Sequence, residues 1–210
     1  LLYGGRVAKA LKTRNVYSAS TLDQMPKQLS AGLMFGAWLS IPVPDIERCD
    51  LLVVLGANPV ASNGSLWTVP DFRGKAKALR ARGGRVIVID PRRSETAELA
   101  DAHHFIRPAG DVFLLLGMVH TLFAEKLVKL GSVGEHITGL RELETAMSDP
   151  RFSAESVSKR CGIAPDIIRT LAREMAATPR AALYSRIGTC TQEFGTLGSW
   201  LVDVVNTLTR

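Results

Sequence analysis

The chain has 210 residues, 46% of them hydrophobic, and a formal net charge of +6. That is enough apolar material for one domain with part of a second, able to bury a core without disulfide or metal staples. The positive residues are scattered along helix surfaces with no long basic run, so no nucleic-acid groove is expected. The three cysteines, Cys49, Cys161 and Cys190, lie far apart. Their spacing offers no disulfide framework, zinc site or cluster ligand set, and a reducing, cytoplasmic setting is expected. The sequence opens Leu1-Leu2-Tyr3 and stops at Arg210 directly after an apolar helix pattern, which reads as a piece cut from a longer protein. The most apolar stretch, Val112 to Ala124, is too short to span a bilayer and contains His120, so no membrane segment is expected.

In chain order, residues 4–12 suit a short helix and Asn15 to Ser20 an extended segment. Met25 to Trp38 carries Leu29, Leu33, Met34 and Ala37 at helical spacing, with Pro26 in its first turn. The prolyl loop Ile41 to Asp45 leads into Leu51 to Leu55. This is a wholly apolar run that stops at Gly56 before Asn58-Pro59, which is the pattern of a strand buried on both faces. A basic helix over Phe72 to Ala81 closes at Gly83-Gly84. A second apolar strand, Val86 to Ile89, stops at Asp90-Pro91-Arg92-Arg93. Ser94 to Ala100 reads as a short helix or turn and His103 to Arg107 as a third strand. Pro108 to Asp111 is a turn in which Asp111 suits the N-cap of a long helix over Val112 to Lys129. Gly131 to Gly139 resembles a linker. Helices follow over Leu140 to Met147, within Phe152 to Ile163, and from Pro165. Arg180 to Tyr184 is a fourth strand, Ser185 to Gln192 a small-residue loop, and Phe194 to Leu208 a last amphipathic helix.

Strands alternating with helices imply an α/β fold: a Rossmann-like, mostly parallel sheet flanked by helices. The expected division is a dinucleotide-binding domain over 1–130 and, over 131–210, helices, a strand and a loop of an adjoining α/β domain. Ligands of such sheets sit at the carboxyl ends of the strands. The turns at Gly56–Ser62, Asp90–Arg93, Pro108–Asp111 and Ser185–Gln192 all fall on that one rim. Gly56 permits close backbone approach, and Asn58, Ser62 and Asn63 offer donors to phosphate. Asp90 can accept from a ribose diol, and Arg92 or Arg93 can meet a phosphate. Asp111 either caps its helix or accepts from a guanine edge. His103 and His104, adjacent on a strand, point to opposite faces and do not suit one metal. The glycine-rich Gly-x-Gly-x-x-Gly fingerprint is absent.

These segments resemble the molybdopterin oxidoreductases of the dimethyl sulfoxide reductase superfamily, the formate dehydrogenases, nitrate reductases and their relatives. The resemblance runs through Asp50-Leu-Leu-Val-Val-Leu-Gly-Ala-Asn-Pro59 and then Gly84 to Asp101, with its Asp90-Pro-Arg and Thr96-Ala97 elements. It continues through Arg107-Pro-Ala-Gly-Asp111 and the Gly188-to-Gly195 loop with Gln192. It implies a molybdenum or tungsten enzyme with two molybdopterin guanine dinucleotides, catalysing two-electron redox of a small substrate such as formate, nitrate or a related oxide. It also implies an electron-transfer partner or subunit, and an iron–sulfur cluster in an amino-terminal part outside this chain. Carried over by position, Gly56, Asn58 and Ser62 would lie near phosphate and ribose. Asp90 and Arg92 would read ribose and guanine-side groups, Gly110 and Asp111 the base, and Gly188 and Gln192 the pterin end. The resemblance further implies that Asp23, three residues before Pro26, ligates the metal and is catalytic, with Ser18, Ser20 and Thr21 as the neighbours that could replace it; read on its own, Asp23 equally suits a cap on the helix that begins near Pro26. Relatives often carry Gly where Ser185 stands, a departure in the loop that nears the pterin. Two rival readings are a nicotinamide-dependent oxidoreductase domain and a non-catalytic cofactor-binding or assembly module.

Overall fold

The computed structural model describes residues 3–210. Four short strands, β1 (Leu51–Leu55), β2 (Arg85–Ile89), β3 (Ala102–His104) and β4 (Ala181–Ser185), form one parallel sheet in the order β3-β2-β1-β4. The chain therefore steps outward from β1 to β3 on one side and returns to place β4 on the other. The order reverses at β1, and the crevice between the ends of β1 and β4 is the topological switch point. The α/β expectation holds. The division expected at residue 130 has no counterpart in the sheet, because β4 pairs with β1 along its whole length.

The unbroken apolar run of β1 has a simple cause. Leu51, Val53 and Leu55 project into one core and Leu52 and Val54 into another, so every side chain is buried. On the first face lie α7 (Asp111–Ala124), α9 (Ala154–Cys161), α10 (Pro165–Ala177) and α12 (Gly195–Leu208). The helix α7 is apolar nearly all round because sheet, α9, α10 and α12 enclose it. No helix among the described residues is long and apolar enough to cross a membrane. On the second face α5 (Phe72–Ala81) buries Phe72, Ala76 and Leu79 against Val86, Val88 and Tyr184. Trp67 sits there with ring centroids 5.9 Å from Phe72 and 5.0 Å from Tyr184.

Several boundaries differ from the sequence reading. The third strand covers only Ala102–His104, after which the chain turns toward α9, where Arg107 N donates to Cys161 O (2.8 Å). The long helix ends at Ala124, five residues early, where Lys126 adopts φ 55° and reverses the chain. The linker-like interval folds as a 3-10 turn over Gly131–His136. Gly110 occupies the N-cap of α7, and Asp111 is its first helical residue.

The amino-terminal segment forms α1 (Gly4–Ala10), α2 (Ser20–Asp23) and α3 (Met25–Phe35). The apolar periodicity of α3 does not mark its buried face: Leu29 is 49% and Leu33 76% exposed, whereas Lys27, Ser30 and Ala31 are buried. What orients the helix is an ion pair. Lys27 Nζ lies 2.8 Å from both carboxylate oxygens of Asp203 on α12. Removing one partner strands a buried charge and costs roughly 3–5 kcal/mol, while replacing both with apolar residues of similar size is often neutral. We expect Asp203→Ala to destabilise the full-length protein by about that amount, and Lys27→Met with Asp203→Leu to recover most of it, measured by chemical denaturation. Equal stability of the single variant and the wild type would show that the pair does not hold α3.

Candidate functional site: a cavity at the switch point

Four turns meet at the carboxyl ends of the strands around a cavity of about 600 Å³, a volume suited to a nucleotide-sized ligand. The β1 end contributes Gly56, Ala57 and Asn58, with Ser62 and Ser65 behind. The β2 end gives Asp90 and Pro91; the segment after β3 gives Pro108, Ala109 and Asp111. The β4 end gives Arg186, Ile187, Gly188, Thr191, Gln192 and Glu193. Seven of the ten residues singled out from sequence line this cavity: Gly56, Asn58, Ser62, Asp90, Asp111, Gly188 and Gln192.

Their roles are partly structural. Gly56, at φ 57°, and Gly188 touch backbone to backbone. Gly188 N donates to Gly56 O (2.9 Å), and a Cβ on Gly188 would stand 2.8 Å from Gly56 Cα. These glycines exist first to let the β1 and β4 turns close on each other. The Asn58 side chain is committed to the adjoining helix α6 (Glu95–Leu99): Nδ2 donates to Glu95 Oε2 (2.7 Å) and Oδ1 accepts from Thr96 Oγ1 (2.6 Å). Ser62 Oγ, at the end of α4 (Pro59–Ser62), donates to Asn58 O (3.0 Å). Asp90 Oδ1 accepts from Arg92 N (2.8 Å), a turn of the Asx type that leaves the second oxygen available.

Three predicted residues lie outside the lining. Arg92 points to solvent and stands 3.8 Å from Glu95. Gly110 is buried against α9, where a Cβ would come within 2.8 Å of Cys161 Cα and of Arg107 O, so its smallness serves packing. Asp23 ends α2, half-buried, and reaches the cavity through Arg186, whose Nη1 donates to Asp23 O (2.7 Å).

Asp111 is buried and accepts from Gln192 Nε2 (2.9 Å). Burial raises its carboxyl above the ordinary range, and the Gln192 amide partly opposes this. Gln192 is held in turn by donating to Gly188 O and Thr189 O. Sequence reasoning passed over Arg186, which is 5% exposed and lines the cavity immediately after β4. The signal available was a lone arginine between an apolar strand and a run of small residues.

The polar groups left unpartnered are not spread evenly. Six buried side-chain N or O atoms among the described residues lack a hydrogen-bond partner. Five of these, Asp23 Oδ1, Ser185 Oγ, Arg186 Nε, Thr189 Oγ1 and Gln192 Oε1, belong to the β4 turn or the Asp23 turn bonded to it. Buried polar atoms are normally satisfied, so a cluster of unpartnered donors and acceptors beside a cavity marks this face as the candidate ligand site.

Fold and cavity together define a doubly wound α/β layer with a cavity at its switch point, where ligands of such sheets sit. The chain belongs to the molybdopterin oxidoreductase family, whose model matches residues 2–175. It is 39% identical to a dimethyl sulfoxide/trimethylamine N-oxide reductase of Cereibacter sphaeroides, over 63% of this chain and 17% of that protein. It is 26% identical to the alpha subunit of an F420-dependent formate dehydrogenase of Methanococcus maripaludis, over 85% of this chain and 25% of that protein. Formate dehydrogenase H of Escherichia coli is 29% identical over 71% of this chain and 20% of its own length. Acetylene hydratase of Pelobacter acetylenicus shares the fold, with a TM-score of 0.77 and 22% identity over 99% of this chain and 27% of that one. The chain thus spans about a quarter or less of these relatives' length.

Two outcomes follow from this geometry. Gly188→Ala forces the β1 and β4 turns apart and is expected to destabilise the full-length protein by about 1–3 kcal/mol, with Gly188→Val worse, in denaturation curves. The second concerns pH. A carboxyl raised on folding binds more protons folded than unfolded. Its stabilising contribution is complete below the unfolded value, near about 3.9, and is lost as pH rises through the raised folded value. Asp111→Asn keeps the acceptor for Gln192 and removes the titration. The stability of Asp111→Asn relative to wild type should therefore rise with pH over that window and then level off. A difference independent of pH would contradict this.

Proposed function

We propose that this chain is part of a molybdenum or tungsten oxidoreductase that binds molybdopterin guanine dinucleotide in the cavity between the β1 and β4 turns. The observation that carries the reading is the convergence of four sequence-distant turns on one cavity of nucleotide size in a chain of this family. The donor set fits: carboxylates of Asp90 and Asp111 for ribose hydroxyls or a base edge, and the Arg186 guanidinium for phosphate. Backbone amides of the Gly56 and Gly188 turns add close polar contacts. The unpartnered Asp23 Oδ1 is a hard oxygen donor in a turn tethered to the cavity, which supports Asp23 as the protein ligand to the metal and as the catalytic position. Bound there, the pterin-held metal supplies two-electron redox chemistry.

The part of this chain is to bind and orient. Gln192, fixed by three acceptors, locks the β4 turn to the Asp111 end of α7. Arg186 sets the backbone of the Asp23 turn, and the Lys27–Asp203 pair anchors the helix that follows it. Asp23 is thereby presented from a fixed base rather than from a loose loop. The substrate is a small molecule such as formate, nitrate or an N- or S-oxide. Electrons leave through a partner or subunit by way of iron–sulfur centres carried outside this chain. A second dinucleotide is held by surfaces beyond these residues.

The test is elemental analysis for molybdenum, tungsten and iron on the full-length protein from a cofactor-competent host, with pterin and guanosine monophosphate released and counted. Near-stoichiometric metal with two pterins is expected. Well-folded protein free of both would leave a nicotinamide-dependent or assembly role as the better account. Asp23→Ala should keep its pterin, lose metal or change the metal's electron paramagnetic resonance, and lose activity by more than the roughly 10–100-fold typical of a lost ligand-orienting partner. Unchanged metal content and spectrum would remove Asp23 from the coordination sphere.

A further inference from the structure

Arg186 is a buried cation with no counter-charge beside it among the described residues. It is 5% exposed, and its Nε has no partner. Among the described residues its guanidinium makes a single hydrogen bond, from Nη1 to the neutral carbonyl of Asp23. Three carboxylates share the cavity lining, Asp90, Asp111 and Glu193, yet among the described residues Arg186 forms no ion pair with any of them within 4.0 Å. One oxygen of Asp111 accepts from Gln192 instead. A buried guanidinium without an anion is costly, and proteins that keep one supply it with a phosphate, a carboxylate or another oxyanion. Around Arg186 stand three more unpartnered groups, Ser185 Oγ, Thr189 Oγ1 and Gln192 Oε1. The two hydroxyls can donate to the same anion, while the Gln192 oxygen can only accept and so prefers a protonated edge of the ligand.

The geometry points to an oxyanion site built on Arg186 at the β4 side of the crevice, with the Ser185 and Thr189 hydroxyls as auxiliary donors. The ligand class is a phosphate or a compact oxyanion of similar size. It has two sources, the phosphate of a bound dinucleotide or a free oxyanion substrate. The site also has a consequence for the neighbouring turn. The same guanidinium that meets the anion holds the Asp23 carbonyl, so occupancy of the cavity and the position of the Asp23 turn are mechanically linked. The inference rests on the cavity being a ligand site and not on the identity of any metal.

The experiment uses the full-length protein, wild type, Arg186→Met and Arg186→Lys, from a cofactor-competent host. Released pterin and guanosine monophosphate are counted per chain, and melting curves are recorded against inorganic pyrophosphate and, separately, nitrate. If the anion is the cofactor's phosphate, Arg186→Met loses pterin and guanosine monophosphate together. If it is a free oxyanion, the variant keeps both but its apparent affinity for nitrate or pyrophosphate falls by at least about tenfold. Full pterin content with titration curves identical to wild type would overturn the site and leave Arg186 as a structural tie to Asp23. If Arg186→Met does not accumulate, Arg186→Lys decides: it keeps the charge but loses the planar fork, so weakened retention or titration with an unchanged circular dichroism spectrum is expected. Behaviour equal to wild type would overturn the site. Wild-type protein free of pterin would defeat the cofactor reading alone, and the pyrophosphate titration would still judge Arg186: a response lost in Arg186→Met supports the site, and no wild-type response overturns it.

Discussion

The contact between Gly56 and Gly188 is the constraint on which the site depends. Two turns separated by most of the chain approach until a backbone amide of one bonds the carbonyl of the other, with no room for a side chain at Gly188 and little at Gly56. The approach is possible because β1 and β4 are adjacent and parallel, so their carboxyl ends finish together. Reversal of the strand order at β1 then opens a crevice on either side of that contact. A fold of this type does not need to carve a cavity; the connection order leaves one.

Around the contact, polar groups divide into those spent on holding the turns and those left over. Asn58 with Glu95 and Thr96, one oxygen of Asp90 with the Arg92 amide, and the Gln192 amide nitrogen with one oxygen of Asp111 are spent. They fix the rim at small cost because each donor meets an acceptor. Arg186 Nε, Asp23 Oδ1 and the hydroxyls of Ser185 and Thr189 are left over. Burying unpartnered polar atoms destabilises a protein, and sites of function are where that cost is tolerated. The amino-terminal helices join this scheme through two long-range bonds, Arg186 to Asp23 and Lys27 to Asp203, which fasten the segment carrying Asp23 to the β4 turn and to α12.

The architecture was legible because its signals are local. An apolar run ending in Gly56 and another ending in Asp90-Pro91 are strands of a parallel sheet whatever surrounds them, and their turns must lie on one rim. Where the reading missed, the deciding partner was distant in sequence. The face of α3 was misread because Lys27, a residue expected in solvent, is buried by Asp203, 176 residues away. The third strand is cut short where Arg107 N turns to Cys161 O on α9.

By itself, then, the sequence determined the layer type, the strands, the rim and most of the residues on it, because periodicity and turn chemistry are properties of neighbours along the chain. Only the tertiary structure decided which rim residues are consumed by the scaffold and which are free to meet a ligand. That distinction turns on hydrogen-bond partners and close approaches between segments far apart in the chain. Asn58 and Arg186 illustrate it. The first looked available, yet its amide nitrogen and oxygen each bind α6, and the second drew no notice and is a buried charge without a counter-ion among the described residues.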